Sequence, residues 1–170
     1  MSVFTFTLLP SGLYTFLLMI IRTFAPSDLP ELLSVQAKSL PGESWHGEDY
    51  LHLSQQTGGL VLVAERPDVL PARLVGFAAM RQALDHAELL NLAVDPAHRR
   101  SGAGRALLVE SCNRVRQTGA SSIFLEVRPS NQSALHLYYS AGFTMHSIRK
   151  NYYTQPVEDA YVLALRQPAS

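Results

Sequence analysis

The residues best suited to chemistry lie between Leu92 and Leu108, which read LAVDPAHRRSGAGRALL. Val94 ends an apolar run, and Gly102 and Gly104 lead into a helical pattern. The first backbone N–H groups of such a helix lack intrahelical partners, and its macrodipole places positive potential there. The glycines let a ligand approach the backbone, and Arg99, Arg100 and Arg105 add formal charge. With Ala103 between the glycines, this stretch is a cradle for phosphate or pyrophosphate. A P-loop fails for want of a Lys after the glycines. A GxGxxG dinucleotide fingerprint is weak, because Leu107 stands where its third small residue belongs. A solvated glycine-containing turn is the plain alternative.

Two further residue types stand out. Glu126 sits mid-strand in IFLEV, where an unpartnered carboxylate is unusual. Alternation puts it with Phe124 and Arg128, opposite Ile123, Leu125 and Val127. It is either a base or a solvated residue paired with Arg128 or Arg81. Tyr138 and Tyr139 lie on a following helix, where core packing is the commoner reading. His86 and Glu88 flank a strand entrance; an unperturbed imidazole near pKa 6.5 could serve as a base. The lone cysteine, Cys112, falls mid-helix and reads as core.

These groups need a scaffold. A chain of 170 residues fits one domain. With 47% hydrophobic and 16% charged residues it is globular. Fourteen basic residues balance fourteen acidic ones, which excludes a chain-wide basic field for nucleic acid. One cysteine allows no intramolecular disulfide, in keeping with a cytoplasmic setting. No zinc-ligand spacing occurs, so no metal is expected.

Strands are expected at Ile20–Phe24, Leu60–Glu65, Arg73–Arg81, Ala87–Val94, Ser122–Arg128, Phe143–Lys150 and Asp159–Arg166. Helices are expected from Asp28 to Lys38 behind a Ser27 N-cap, weakly within Trp45–Gln56, at Gly104–Thr118 and at Asn131–Ala141. Turns fall at Leu40–Gly42 and Pro67–Pro71. The order βα(α)βββαβαββ gives an α/β (α+β) layered domain over residues 19–170, a mixed, mostly antiparallel sheet of about seven strands flanked by about four helices. Residues 1–18 form an extension with three readings: an upstream stretch before a start at Met19, an interfacial or membrane anchor, or an ordered extension. The apolar run Leu13–Ile21 is too short to span a bilayer, so no membrane association is expected.

The pattern Val-Asp-Pro-x-x-Arg-Arg-x-Gly-x-Gly-Arg-Ala-Leu-Leu resembles the acetyl-CoA-binding motif of the GNAT N-acetyltransferases, Q/R-x-x-G-x-G/A, with Arg99 in the Q/R place. FLEVRPSNQSALHLYYSAGF, from Phe124 to Phe143, looks like that family's next strand and helix. IRKNYY, from Ile148 to Tyr153, is similar to its ribosomal-protein-alanine (RimI-type) branch.

The resemblance implies the GNAT acyl-CoA N-acyltransferase fold and acetyl-CoA as donor. It also implies the N-terminal α-amine of a protein as acceptor, in particular an N-terminal alanine on a small-subunit ribosomal protein. It implies Glu126 as base, Tyr138 as acid and Asn131 as a coenzyme contact. Leu92 and Val94 would offer backbone groups to the acetyl and pantetheine arm, and Asn91 would line the acceptor side. Asn151, Tyr152 and Tyr153 would sit in a loop over the acceptor peptide. An acidic residue of that branch is replaced here by His86, which leaves open whether His86 or Glu88 relays the amine proton. A small-amine or lysine acetyltransferase and a non-catalytic acyl-CoA sensor are the rival readings.

Overall fold

The computed structural model describes residues 2–8, 14–40, 42, 45–67 and 73–166, with side chains described from Met19 onward. The turn residues 41 and 68–71, and Pro10, Ser11 and Gly12 in the early break, lie outside it. Twelve elements follow in chain order: β1 (Ser2–Leu8), β2 (Tyr14–Thr23), α1 (Leu29–Ser39), α2 (Gly47–Gln55), β3 (Gly59–Arg66), β4 (Arg73–Ala83), β5 (His86–Val94), α3 (Ala103–Gln117), β6 (Ser122–Val127), α4 (Gln132–Ser140), β7 (Thr144–Thr154) and β8 (Val157–Arg166).

They build one mixed sheet in the order β1-β2-β3-β4-β5-β6-β8-β7. Only β5 and β6 run parallel; every other pair is antiparallel. The strands β2 to β8 and the four helices are the expected architecture, and β1 adds an edge strand. It pairs with β2 from Ser2↔Ile20 to Leu8↔Tyr14. The first strand therefore begins at Tyr14, ahead of the expected Ile20, because a partner extends it. No helix among the described residues is long and apolar enough to cross a membrane.

Two apolar clusters cover the two faces of the sheet. One holds Met19, Ile21, Leu62, Met80, Leu89, Leu107, Leu108, Ile123, Leu125 and Leu163 beneath α3 and α4. The other holds Phe24, Leu32, Val35, Tyr50, Val61, Val63, Phe77 and Ala93 beneath α1 and α2. Ser27 does not cap α1. Asp28 stands at the N-cap position without a side-chain capping bond; its carboxylate instead turns back to accept from the Ala25 N–H at 2.7 Å and pairs with Arg22 at 2.6 Å. Ser27 lies inside the 3-10 turn Pro26–Asp28 that leads into α1, one residue short of the N-cap position.

Two irregularities in the sheet shape the site. The β4–β5 register passes from Ala79↔Asn91 to Met80↔Leu89, so Leu90 is an extra residue in β5. One extra residue flips every side chain beyond it. Leu89 faces the α3 side, whereas Asn91 and Ala93 face α1 and α2 with Ala79 and Phe77. The second irregularity is an opening. The β5–β6 ladder stops at Leu89↔Leu125. Beyond it β5 keeps its pairs with β4, and β6 keeps its pairs with β8. The two strands part, and a gap opens in the middle of the sheet.

Candidate active site

That gap is a cavity of about 620 Å³. Leu90, Asn91 and Leu92 come from β5, Glu126 and Val127 from the end of β6, and Tyr138 from α4; Tyr152, Tyr153 and Trp45 also line it. Where β5 has no β6 partner, its backbone edge faces the opening. Such an edge suits an amide-bearing ligand, which pairs with a strand as another strand does.

The cradle forms upstream of α3. Asp95 turns the chain out of β5, its side chain accepting from the Ala97 N–H at 3.0 Å while Lys38 Nζ holds its other oxygen at 3.0 Å. The Lys38 ammonium and the Ala97 N–H keep its carboxyl below the ordinary carboxylate range despite burial. Arg100 adopts φ +63° and Gly102 φ +88°. The left-handed turn at Gly102 brings Ala103, Gly104 and Arg105 to the helix start with N–H groups leading. Arg99, Arg100 and Arg105 are all exposed around it. Val94 lies at the end of β5 against Gly104, away from the cavity lining.

Gly104 is open to a test. A Cβ there would meet only Leu137 Cδ2 at 3.5 Å and Val94 Cγ2 at 3.6 Å, both ordinary contacts. Packing within the chain does not require glycine at this position. Gly104→Ala is expected to keep the wild-type Tm and to raise the KM for acetyl-CoA by about tenfold or more, the equivalent of 1.4 kcal/mol. A fall in Tm with unchanged KM would assign the glycine to packing.

Glu126 lies on the α1/α2 face with Phe124, and Glu88 is placed there by its pairing to Phe124. The Glu126 carboxylate forms an ion pair with Arg149 Nη1 at 2.6 Å, with 16% of its side chain exposed. The Tyr152 hydroxyl also donates to it, which raises the pKa of that tyrosine. The two partners expected from sequence are engaged elsewhere: Arg81 pairs with Glu88 at 3.1 Å and Arg128 with Glu158 at 3.3 Å. The sequence reading missed Arg149 as a partner, although it stands inside the quoted IRKNYY.

Tyr138 is 8% exposed and packs 5.8 Å from the Phe143 ring. Burial pushes its hydroxyl well above the ordinary phenol range, so it stays protonated. Asn131, Ala134 and Tyr138 follow helical spacing, and all three line the cavity. The Asn131 side chain also caps α4 by accepting from the Ala134 N–H at 3.2 Å.

Asn151, Tyr152 and Tyr153 are not in a loop. They lie within β7, where the register slips between Arg149↔Ala160 and Tyr153↔Glu158, leaving Lys150 to Tyr152 as a bulge. Asp159 anchors that bulge, accepting from the Asn151 N–H at 3.0 Å and Lys150 Nζ at 2.7 Å. Local sequence reads turn residues as loop; here the extra residues are absorbed by the bulge, and the connection shrinks to Gln155–Pro156. Burial, with Glu126 adding to it, pushes Tyr153 up to about 12.

His86 takes another place, and Asn91 lines the cavity with a second role. His86 is exposed beside Asp85 at 3.8 Å, edge-on to Phe124 at 5.8 Å, and outside the cavity lining; Glu88 lines it. Asn91 is buried and donates to the Tyr50 hydroxyl at 3.3 Å. Tyr50 donates to Gln36 at 2.6 Å, and Gln36 donates to the Trp45 carbonyl at 2.8 Å. Asn91 thereby supports the α1–α2 wall through a buried polar chain. Cys112 is buried, its thiol pushed up to about 11 by desolvation, and remains a protonated core residue.

Residues 28–143 match the acetyltransferase (GNAT) family. The chain is 44% identical over 154 residues to the [ribosomal protein bS18]-alanine N-acetyltransferase of Escherichia coli K12, covering 85% of this chain and 95% of that one. The crystal structure of the E. coli ribosomal-protein-S18-alanine N-acetyltransferase superposes with a TM-score of 0.78 and 32% identity over 89% of this chain and 96% of that one. The PaiA N-acetyltransferase of Thermoplasma acidophilum, solved with coenzyme A, shares the fold at a TM-score of 0.72 and 21% identity, covering 88% and 99%.

Proposed function

The chain belongs to the GNAT family of acetyltransferases, and from that premise we propose that it moves acetyl from acetyl-CoA to the N-terminal α-amine of a protein, the alanine of a small-subunit ribosomal protein. It is an N-acetyltransferase. The observation that carries the finer reading is the wall of the cavity: Glu126 and Tyr152 meet where β5 and β6 part, with the β7 bulge turned over the opening.

The chemistry uses these groups in order. The exposed arginines and the leading N–H groups of α3 hold the coenzyme phosphates. The open edge of β5 at Leu92 and Val94 takes the amide-bearing arm and brings the thioester into the gap. Asn131 steadies the same arm from α4. An α-amine with an ordinary pKa of about 7.7–8.0 arrives largely as ammonium at neutral pH. Glu126 accepts its proton, directly or through one water, and the lone pair attacks the thioester carbon. Positioning the two reactants contributes about 7–11 kcal/mol. A backbone N–H on the open edge of β5 faces the developing oxyanion. The C–S bond then breaks, Tyr138 gives its proton to the departing sulfur, and the newly bonded nitrogen sheds its second proton through solvent, which restores the Tyr138 hydroxyl. No covalent enzyme intermediate is required.

The acceptor enters past Tyr152, Tyr153 and Trp45. Tyrosines present an apolar body and a polar tip, which suits a peptide backbone. The E. coli relative is named for acetylating the alanine of a ribosomal protein. We place the reaction in the cytoplasm, where ribosomal proteins and acetyl-CoA meet.

Truncating Tyr152 tests the acceptor class. Tyr152→Ala is expected to raise the KM for an alanine-terminated peptide by about tenfold and to leave the KM for acetyl-CoA unchanged. An unaltered peptide KM would favour a small amine as acceptor.

A further inference from the structure

Arg128 and Glu158 join two parts of the site that the sequence treats separately. Arg128 follows the last residue of β6 and opens the short connection to α4. Its Nη2 donates to the Gln155 carbonyl at 3.1 Å and its Nη1 to the Pro156 carbonyl at 3.2 Å. Nη1 also reaches Glu158 Oε2 at 3.3 Å, and the guanidinium carbon lies 3.9 Å over the Tyr153 ring. One side chain therefore holds the β7–β8 turn, the Tyr153↔Glu158 pair beside it and an aromatic wall of the cavity.

Glu158 completes the link. Its Oε1 accepts from the Ser130 N–H at 2.7 Å and its Oε2 from the Ser130 hydroxyl at 2.9 Å. These bonds, with Arg128, hold its carboxyl below the ordinary range. Ser130 immediately precedes Asn131, the N-cap of α4 that lines the cavity.

We propose that Arg128 and Glu158 are positioning residues that couple the coenzyme side of the site to the acceptor hairpin, so that acetyl-CoA binding at Asn131 orders the Tyr152–Tyr153 wall. The coenzyme at Asn131 and the acceptor at the hairpin rest on the function proposed above; the bonds between Arg128, Glu158 and Ser130 do not. Coenzyme contact that steadies the Pro129–Asn131 connection also fixes Ser130, and Ser130 fixes Glu158. Glu158 and the guanidinium then hold the hairpin turn closed. Such coupling is reciprocal, so a bound acceptor peptide tightens acetyl-CoA by the same factor. A lysine cannot replace the arginine, because one ammonium cannot span two carbonyls, a carboxylate and a ring face as a planar fork does.

Hydrogen exchange on the full chain, with and without acetyl-CoA, tests this. In the wild type, acetyl-CoA is expected to slow exchange both over residues 99–108 and over the hairpin segment 152–157. In Glu158→Ala and in Arg128→Lys the cradle is expected to keep its protection while the hairpin loses its response. The same variants are expected to weaken peptide binding about tenfold when acetyl-CoA is present and less than about twofold when it is absent, a dependence that general loss of structure does not produce. A hairpin that responds equally in the variants, or does not respond in the wild type, overturns the coupling. Loss of cradle protection in the variants overturns it too, by assigning both residues to coenzyme binding itself. A responding hairpin in a wild-type enzyme that acetylates no peptide refutes the acceptor reading and leaves the clamp standing.

Discussion

Glu126→Gln is expected to lower kcat/KM for an alanine-terminated peptide by about 10²–10⁴-fold, the range that a positioned general base supplies. The amide keeps the shape of the carboxyl and removes its ability to take a proton. Binding of acetyl-CoA is expected to persist, because the cradle at Gly102 to Arg105 lies at a different end of the site. Stability is expected to change little. The ion pair that is lost joins Glu126 to an Arg149 side chain that is 59% exposed, and such pairs contribute about 0–1 kcal/mol. The deficit is expected to narrow as pH rises past about 8, where solution supplies the neutral α-amine. Steady-state rates across pH, with a binding titration, read all of this. A variant with wild-type kcat/KM at neutral pH would remove Glu126 from the reaction.

Tyr138→Phe is expected to reduce kcat by about 10²-fold or more. The ring remains to pack on Phe143, so the loss isolates the hydroxyl. Because burial holds that hydroxyl protonated, its job at neutral pH is to donate, and its natural recipient is the sulfur as charge develops. A donor used only at that stage lowers kcat and kcat/KM together and leaves acetyl-CoA affinity unchanged. An acetyl thioester with a more acidic leaving thiol is expected to recover much of the lost rate, since its thiolate departs with less help. Equal deficits for both thioesters would assign Tyr138 to positioning.

The parts of the site that are local in sequence were legible there. The glycines and arginines from Arg99 to Arg105 carry their chemistry within a single turn. Asn131 and Tyr138 are singled out by the family resemblance, and the face of Glu126 follows from strand alternation. What escaped depends on pairing between distant segments. Leu90 looks like any apolar strand residue, yet the register against β4 makes it a bulge that sends Asn91 to the opposite face. Simple alternation would have kept Asn91 with Leu89. Tyr152 stands beside an asparagine and reads as loop, whereas Asp159 on the partner strand fixes it in a bulge. Arg149 meets Glu126 only because β8 lies between β6 and β7 and brings their side chains to one face. The start of β2 at Tyr14 likewise depends on β1, a partner that its own residues do not announce. In each case the missing term is a long-range register.

The most direct measurement is mass spectrometry of two peptides incubated with the enzyme and acetyl-CoA. One begins with a free alanine and contains no lysine; the other has a blocked N-terminus and one internal lysine. The account predicts the gain of a single acetyl group on the alanine peptide and none on the lysine peptide. Acetylation of the lysine peptide alone would contradict it.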